Sequence, residues 1–374
     1  MKLLLAPNTY KETADSIAAA SLFTKYLKYD KLEIIGKPIS DGGDAFLKIT
    51  KGIYKLKNIY YDITTSYNDD IIQIEAGYNE NNSTLYIESA EVLGLKVIPK
   101  TYRNPGVINS KGLGDLLRQI EKDMENKKLT VKRVLIGIGG TGTNDLALGA
   151  CSRFGLKLFD EEKEMEVKPL NYHKVKRIEW EKKKLPFEMI LIVDVKNKLL
   201  GKNGATLTFG RQKGADDYQL QIIEKGFKNI AGILYRMNMI DSVENLSGAG
   251  GGLAAGLSIF FNAKLKSAKE FILKDLSISK IKNDIDYVVT GEGYFDAQSL
   301  MEKGTGIIID EFKDSAKKIF LVCGRIDQKV KEKLNGNVYC IELQKYFSSK
   351  EESINNFENG IELACKEIKN CLNM

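Results

Sequence analysis

Histidine is almost absent from this 374-residue chain: the one copy, His173, lies in the basic stretch 168–184. A single imidazole nearly excludes the usual zinc sites and the Ser-His-Asp or Cys-His machineries, and a loop-like setting makes His173 a solvated surface residue. The five cysteines form no C-x-x-C pair and are odd in number. Reduced thiols are expected rather than a disulfide framework. No window reaches the roughly 18 consecutive apolar residues that a membrane span needs. The run Leu3 to Ala6 stops at Pro7, too short for the core of a signal peptide. A cytoplasmic protein without a membrane partner is expected. A G-x-x-x-x-G-K-[ST] sequence is also missing, which excludes a Walker-type P-loop. Any chemistry must run on carboxylates, lysines, backbone amides and bound metal.

What is present suits a globular protein. Apolar residues make up 43% of the chain and charged residues 28%, enough for substantial cores. The length suggests two domains. The formal charge of +6 comes from interleaved lysine and glutamate, and runs such as 182–184 read as solvated loop edges. That balance gives no footprint for nucleic acid and suits a small anionic substrate.

Short Ile, Val and Leu runs predict strands at 2–6, 33–37, 71–76, 84–88, 133–137, 189–195, 287–290, 319–323 and 338–343. Several are apolar on both faces, as in sheets covered by helices on both sides. Residues 60–89 read instead as antiparallel hairpins. Helical periodicity is clearest at 14–29, 112–124, 144–154, 217–237, 251–263, 297–312 and 353–372. A parallel α/β pattern at both chain ends, with hairpins between, predicts an α/β protein with two domains. A discontinuous Rossmann-like parallel-sheet domain (1–60 plus 245–374) would receive a second, mixed α/β domain (61–244) as an insertion.

Four polar glycine turns stand where a strand gives way to a helical pattern: 41–43, 137–145, 248–252 and 290–296. Glycine lets backbone amides approach an anion, and a helix start adds partial positive charge. Gly139, Gly140, Thr141, Thr143 and Asn144, then Gly248, Gly250 and Gly251, and Gly291 are therefore candidates for holding phosphate. Asp41, Asp194, Glu292 and Asp296 stand at the same strand ends. They fit Mg²⁺, which takes one or two carboxylates plus waters and phosphates, although each could equally cap a helix. Lys11 and Lys213 supply cations for a phosphate or carboxylate. Gly137, Gly139 and Gly142 also satisfy G-x-G-x-x-G, with Asp160 placed for a ribose contact. That leaves a dinucleotide-binding alternative, weakened by Asp145 directly after the glycines.

Taken in order, these motifs resemble the bacterial glycerate kinase family. Ala6-Pro7-Asn8-Thr9-Tyr10-Lys11 is similar to its A-P-D-S-F-K, and Pro38 to Asp44 to P-x-A-D-G-G-E. GIGGTGTND at 137–145 resembles G-I-G-G-S-A-T-N-D. Asp194 with Asn197, Gly204-Ala205, Phe209 to Ala215, Gly248 to Gly250 and Thr290 to Gln298 continue the series. The resemblance covers nearly the whole chain. It departs at Asn8, where the family has Asp, and at Glu12, Gly142, Lys198, Arg211, Tyr294 and Glu302.

The resemblance implies a two-domain α/β enzyme that uses ATP and Mg²⁺ to phosphorylate D-glycerate, giving 2-phosphoglycerate, or a related small hydroxy acid. A homodimer is compatible with it. Glu292 and Asp296 would hold the metal, and Lys11 and Lys213 would neutralise the phosphoryl group or grip the substrate carboxylate. Asp41 or Asp194 would orient the hydroxyl and accept its proton. Two alternatives stay open: a family-derived binding protein with lost or altered activity, and an NAD-linked oxidoreductase.

Overall fold

The computed structural model describes residues 1–194, 197–300, 303–334 and 336–374. Val195, expected to end a strand, and the departure at Glu302 lie outside the described residues. The chain divides into two compact units, Met1–Ile49 with Ala268–Met374, and Thr50–Ser267.

The first unit is built on a five-stranded, wholly parallel sheet. Its strands run in the order Val338–Glu342, Lys318–Cys323, Tyr287–Gly291, Lys2–Pro7, Glu33–Gly36. Counted along the unit, that order is 2-1-3-4-5, the doubly wound arrangement in which the winding reverses between the first and third strands. Leu3, Leu5, Val289, Phe320 and Val322 are buried because both faces are covered. Helix Ser16–Leu27 starts at Asp15, whose Oδ1 accepts from the Ala18 amide at 2.9 Å. It packs against helix Phe357–Cys371, whose buried stripe of Phe357, Ile361, Ala364, Cys365 and Ile368 follows the expected spacing. The helix expected at 353–372 is two helices, Lys350–Asn355 and Phe357–Cys371, parted at Asn356. Ser349 caps the first through the Glu352 amide.

The second unit carries a six-stranded mixed sheet. Lys264–Ser267, Glu188–Val193, Arg133–Ile138 and Thr84–Glu88 are parallel; Ile71–Asn79 and Lys57–Thr64 join as antiparallel hairpins. The expected domain boundaries, after 60 and after 244, differ from this division. Lys57–Thr64 pairs along its whole length with Ile71–Asn79, and Lys264–Ser267 pairs with Glu188–Val193, so both ends of the insertion lie further out.

The helix expected over 144–154 is only Leu148–Ser152, because Leu146 and Ala147 take left-handed backbone (φ +53° and +58°). His173 is half-buried within the 3₁₀ turn Pro169–Lys174 rather than solvated on a loop. Among the described residues no helix is long and apolar enough to cross a membrane.

Candidate active site

In the first unit the residues of interest gather where the sheet winding reverses. Pro7 and Gly291 are register partners, and the Asn8 amide donates to the Gly291 carbonyl at 2.9 Å, so Asn8 and Glu292 leave the sheet side by side. Open α/β sheets bind their ligands at such a point. Glu292 Oε1 is buried and has no hydrogen-bond partner among the described residues. Burial pushes its carboxyl up to about 7, helped by the charge of Asp41 and opposed by Ser299, Thr305 and Lys303. Asp41 is half-buried in the turn after Glu33–Gly36. Lys11 is exposed on the turn after Lys2–Pro7.

Asp296 acts locally. Its Oδ1 accepts from the amides of Gln298 (2.8 Å) and Ser299 (3.0 Å), capping the short helix Ala297–Leu300. Ser299 in turn steadies Glu292. The carboxylate that acts electrostatically on Glu292 is therefore Asp41, in the place expected for Asp296. Gly291 has a packing role: a Cβ there would lie 1.6 Å from the Val322 carbonyl and 2.6 Å from Tyr10 Oη.

In the second unit the turn 139–145 follows strand Arg133–Ile138 and is strapped to the neighbouring segment. Gly142 donates to Leu93 at 2.7 Å and Leu95 to Gly140 at 3.1 Å. The Lys213 ammonium, 5% exposed, donates to the Thr143 carbonyl at 2.7 Å. Burial lowers its pKa to about 8, while Asp145 pulls the other way. Asp145 is wholly buried and points inward: its Oδ2 accepts from Ser110 N, Ser110 Oγ and Gly149 N at 2.7, 2.7 and 3.0 Å. This inward bonding is why the helix does not start at Asn144. Asn144 Nδ2 donates to Thr206 Oγ1 at 3.1 Å, and Thr143 Oγ1 and Asn144 Oδ1 are buried without partners among the described residues. Gly140 is exposed at φ +63°.

The loop 248–252 is built differently from the expectation. The Gly248 amide donates to Asn197 at 2.7 Å and that of Gly251 to Gly248 at 3.0 Å, so neither is open to phosphate. A Cβ on Gly251 would stand 2.3 Å from the Thr143 carbonyl, and one on Gly248 2.4 Å from that of Lys198. These glycines let two protein loops touch. Gly250, at φ +65°, would press a Cβ against Ile138. Asp194 is half-buried just past strand Glu188–Val193.

Sequence reasoning missed Glu88, 2% exposed at the end of strand Thr84–Glu88 and paired with Lys96 at 2.7 Å. A lone acid closing an apolar strand was the signal. The dinucleotide alternative is overturned: Asp160 lies in a small antiparallel sheet with Lys163–Met165 and Arg177–Glu179, and no helix follows directly on the glycines.

Among the described residues the donor chemistry at Glu292 fits a divalent metal. Its Oε1 is, among those residues, a buried acceptor without a partner, and the charge of Asp41 acts on it. That meets the modest protein share of a Mg²⁺ shell. No group of three or more His, Cys, Asp or Glu side chains gathers among the described residues.

Comparison with known proteins decides the family. The Glycerate kinase family matches residues 3–373. The chain belongs to the glycerate kinase family. Among its relatives, glycerate 2-kinase of Escherichia coli (strain K12) is 28% identical over 345 residues, covering 88% of this chain and 87% of that one. Glycerate kinase of Bacillus cereus (strain ATCC 10987 / NRS 248) is 27% identical over 384 residues, with 98% and 97% covered. A crystal structure assigned as a glycerate kinase 2 from Salmonella typhimurium LT2 shares the fold, with a TM-score of 0.72 at 22% identity over 100% of this chain and 98% of that one. As a glycerate kinase family member, the protein is a phosphotransferase acting on an alcohol group. The resemblance read from the motifs is thus borne out.

Proposed function

We propose that this member of the glycerate kinase family is a cytoplasmic enzyme that transfers the γ-phosphoryl group of ATP to a hydroxyl of D-glycerate, giving 2-phosphoglycerate, or of a related small hydroxy acid. The observation that carries the reading is the acidic end of the five-stranded sheet: Glu292 Oε1, buried and unpartnered, under the influence of Asp41 at the winding reversal. Phosphoryl transfer asks a protein mainly to position groups and neutralise charge. Bound Mg²⁺ supplies that neutralisation on the phosphates; Glu292 would hold it, with Asp41 beside. Asp296 acts through Ser299 to fix the Glu292 carboxyl.

The remaining roles follow from burial. Lys213 keeps the turn 139–145 in shape through the Thr143 carbonyl, so Gly139, Gly140 and Thr141 are the residues left to face phosphate. Lys11, exposed on its turn, would supply a cation for the phosphoryl group or the substrate carboxylate. Asp41 orients the attacking hydroxyl and takes its proton, with Asp194 the second candidate for that part.

The test is a coupled ADP-release assay across small hydroxy acids, D-glycerate included, with and without Mg²⁺. ADP release that needs both the acid and the metal is expected. Nucleotide binding with no ADP release against any acid would instead make the protein a binder.

A further inference from the structure

Beyond the carboxyl ends of the first unit's sheet, two short strands run parallel, Tyr294–Phe295 and Arg325–Ile326, with Tyr294 and Arg325 as register partners. The Gly324 amide donates to the Glu292 carbonyl at 3.2 Å and the Arg325 amide to the Gly293 carbonyl at 3.1 Å. Backbone bonds thus tie Arg325 to the loop that carries Glu292. Gly324 permits the approach, since a Cβ there would stand 2.5 Å from the Gly293 oxygen. The Lys11 amide nitrogen lies 3.3 Å from where a Cβ on Gly293 would be, so the turn of Lys11 borders the same loop. Phe295 and Ile326 are buried; side chains alternate along a strand, which leaves Tyr294 and Arg325 on the outer face, both exposed. The neighbouring cations Lys331 and Lys345 are spent on Glu342, whereas Arg325 enters no ion pair among the described residues. The family motif T-G-E-G-R-x-D-x-Q has Arg where this chain has Tyr294. Here a guanidinium stands at the register partner instead.

We propose that Arg325 binds an oxyanion of the reactants, a phosphate of ATP or the carboxylate of the hydroxy acid, and so supplies from the next strand the cation that position 294 lacks. The inference rests on the kinase reading and adds a binding residue to its site. Both reactants are anions, and the sheet edge they approach already holds the carboxylates of Glu292 and Asp41. Cations beside that edge are needed to offset the repulsion, and Lys11 offers only a compact point charge. Arginine adds a planar fork of donors that meets two oxygens of a phosphate or carboxylate at once. Its charge also persists at any pH at which the protein is folded.

The test moves the cation between the two register partners. Calorimetric titrations with ATP in the presence of Mg²⁺, and separately with D-glycerate, are run on the parent, on Arg325→Met and on Arg325→Met combined with Tyr294→Arg. Arg325→Met should lose about tenfold or more in affinity for at least one of the two ligands. Loss for ATP alone assigns the phosphate, and loss for D-glycerate alone assigns the carboxylate. The double variant should regain the lost affinity to within about threefold of the parent. A purely structural duty of Arg325 would not be restored by a cation on the adjacent strand. Should Arg325→Met fold poorly, Arg325→Gln takes its place in both proteins. Affinities for both ligands within about threefold of the parent in the single variant, or a loss that the double variant fails to restore, overturn the proposal and leave the kinase reading intact. A parent that binds these ligands but releases no ADP overturns the kinase reading, while the same titrations still decide Arg325. A parent that binds neither ligand overturns the proposal outright.

Discussion

Inside the second unit the Lys213 ammonium donates to the Thr143 carbonyl at 2.7 Å. A cation spent on a peptide carbonyl, with burial lowering its pKa to about 8, is organised to hold a loop.

Lys213→Met is therefore expected to unfold no earlier than the parent at pH 7, yet to lose roughly 10²-fold in turnover as the turn 139–145 relaxes. The pH dependence has a fixed sign. The unfolded lysine keeps its proton up to about 10.5 and the folded one only to about 8, so the parent gains stability relative to the variant as pH rises through that window. The gain is roughly 3 kcal/mol at most. Parallel urea titrations at pH 7.5 and 10 measure it, and a difference that does not change with pH would contradict the burial of charge at this position.

Glu292→Gln should behave in the opposite sense in metal-free buffer. The folded carboxyl holds its proton to about 7 and the unfolded one only to 4.5, so the parent loses stability relative to the variant between those values. The loss is on the order of 1–3 kcal/mol. Added Mg²⁺ should raise the melting temperature of the parent and leave that of Glu292→Gln unmoved. Differential scanning fluorimetry over a Mg²⁺ series reads both, and an equal rise in the two proteins would remove Glu292 from the cation site.

Gly251→Ala should destabilise the protein by roughly 2–4 kcal/mol, since the residue sits at φ +70° and its Cβ would stand 2.3 Å from a carbonyl oxygen. Gly52→Ala is the control. It lies within helix Phe46–Tyr54 with nothing within 4 Å of a Cβ, so it should be neutral or stabilising by up to about 1 kcal/mol. Chemical denaturation of the pair tests whether the loop 248–252 uses its glycines for packing.

The strands were legible because burial on both faces leaves long apolar runs such as Leu3 to Ala6, and the last helix because its buried residues recur every three and four positions. The ends of the insertion were not, since pairing between Lys57–Thr64 and Ile71–Asn79 depends on a partner that composition does not reveal. In the candidate site, glycines and carboxylates were visible, but their duties were not. Gly248 and Gly251 resemble a phosphate cradle in one dimension and prove to be contact points between loops once Thr143 and Lys198 are in place. Asp145 looks like the opening of a helix until Ser110, 35 positions earlier, claims its carboxylate. Such duties belong to neighbours distant along the chain.

The Tyr10 hydroxyl donates to the Val322 carbonyl across 312 positions, and strand Lys2–Pro7 lies between strands from opposite ends of the chain. Ribosomes deliver the amino end first. Strand Lys2–Pro7 is thus made long before its Tyr287–Gly291 neighbour and waits with one greasy edge open until translation is nearly done. Thr50–Ser267 can close up in the meantime. Nascent chains arrested short of residue 287 should consequently engage chaperones that full-length chains release.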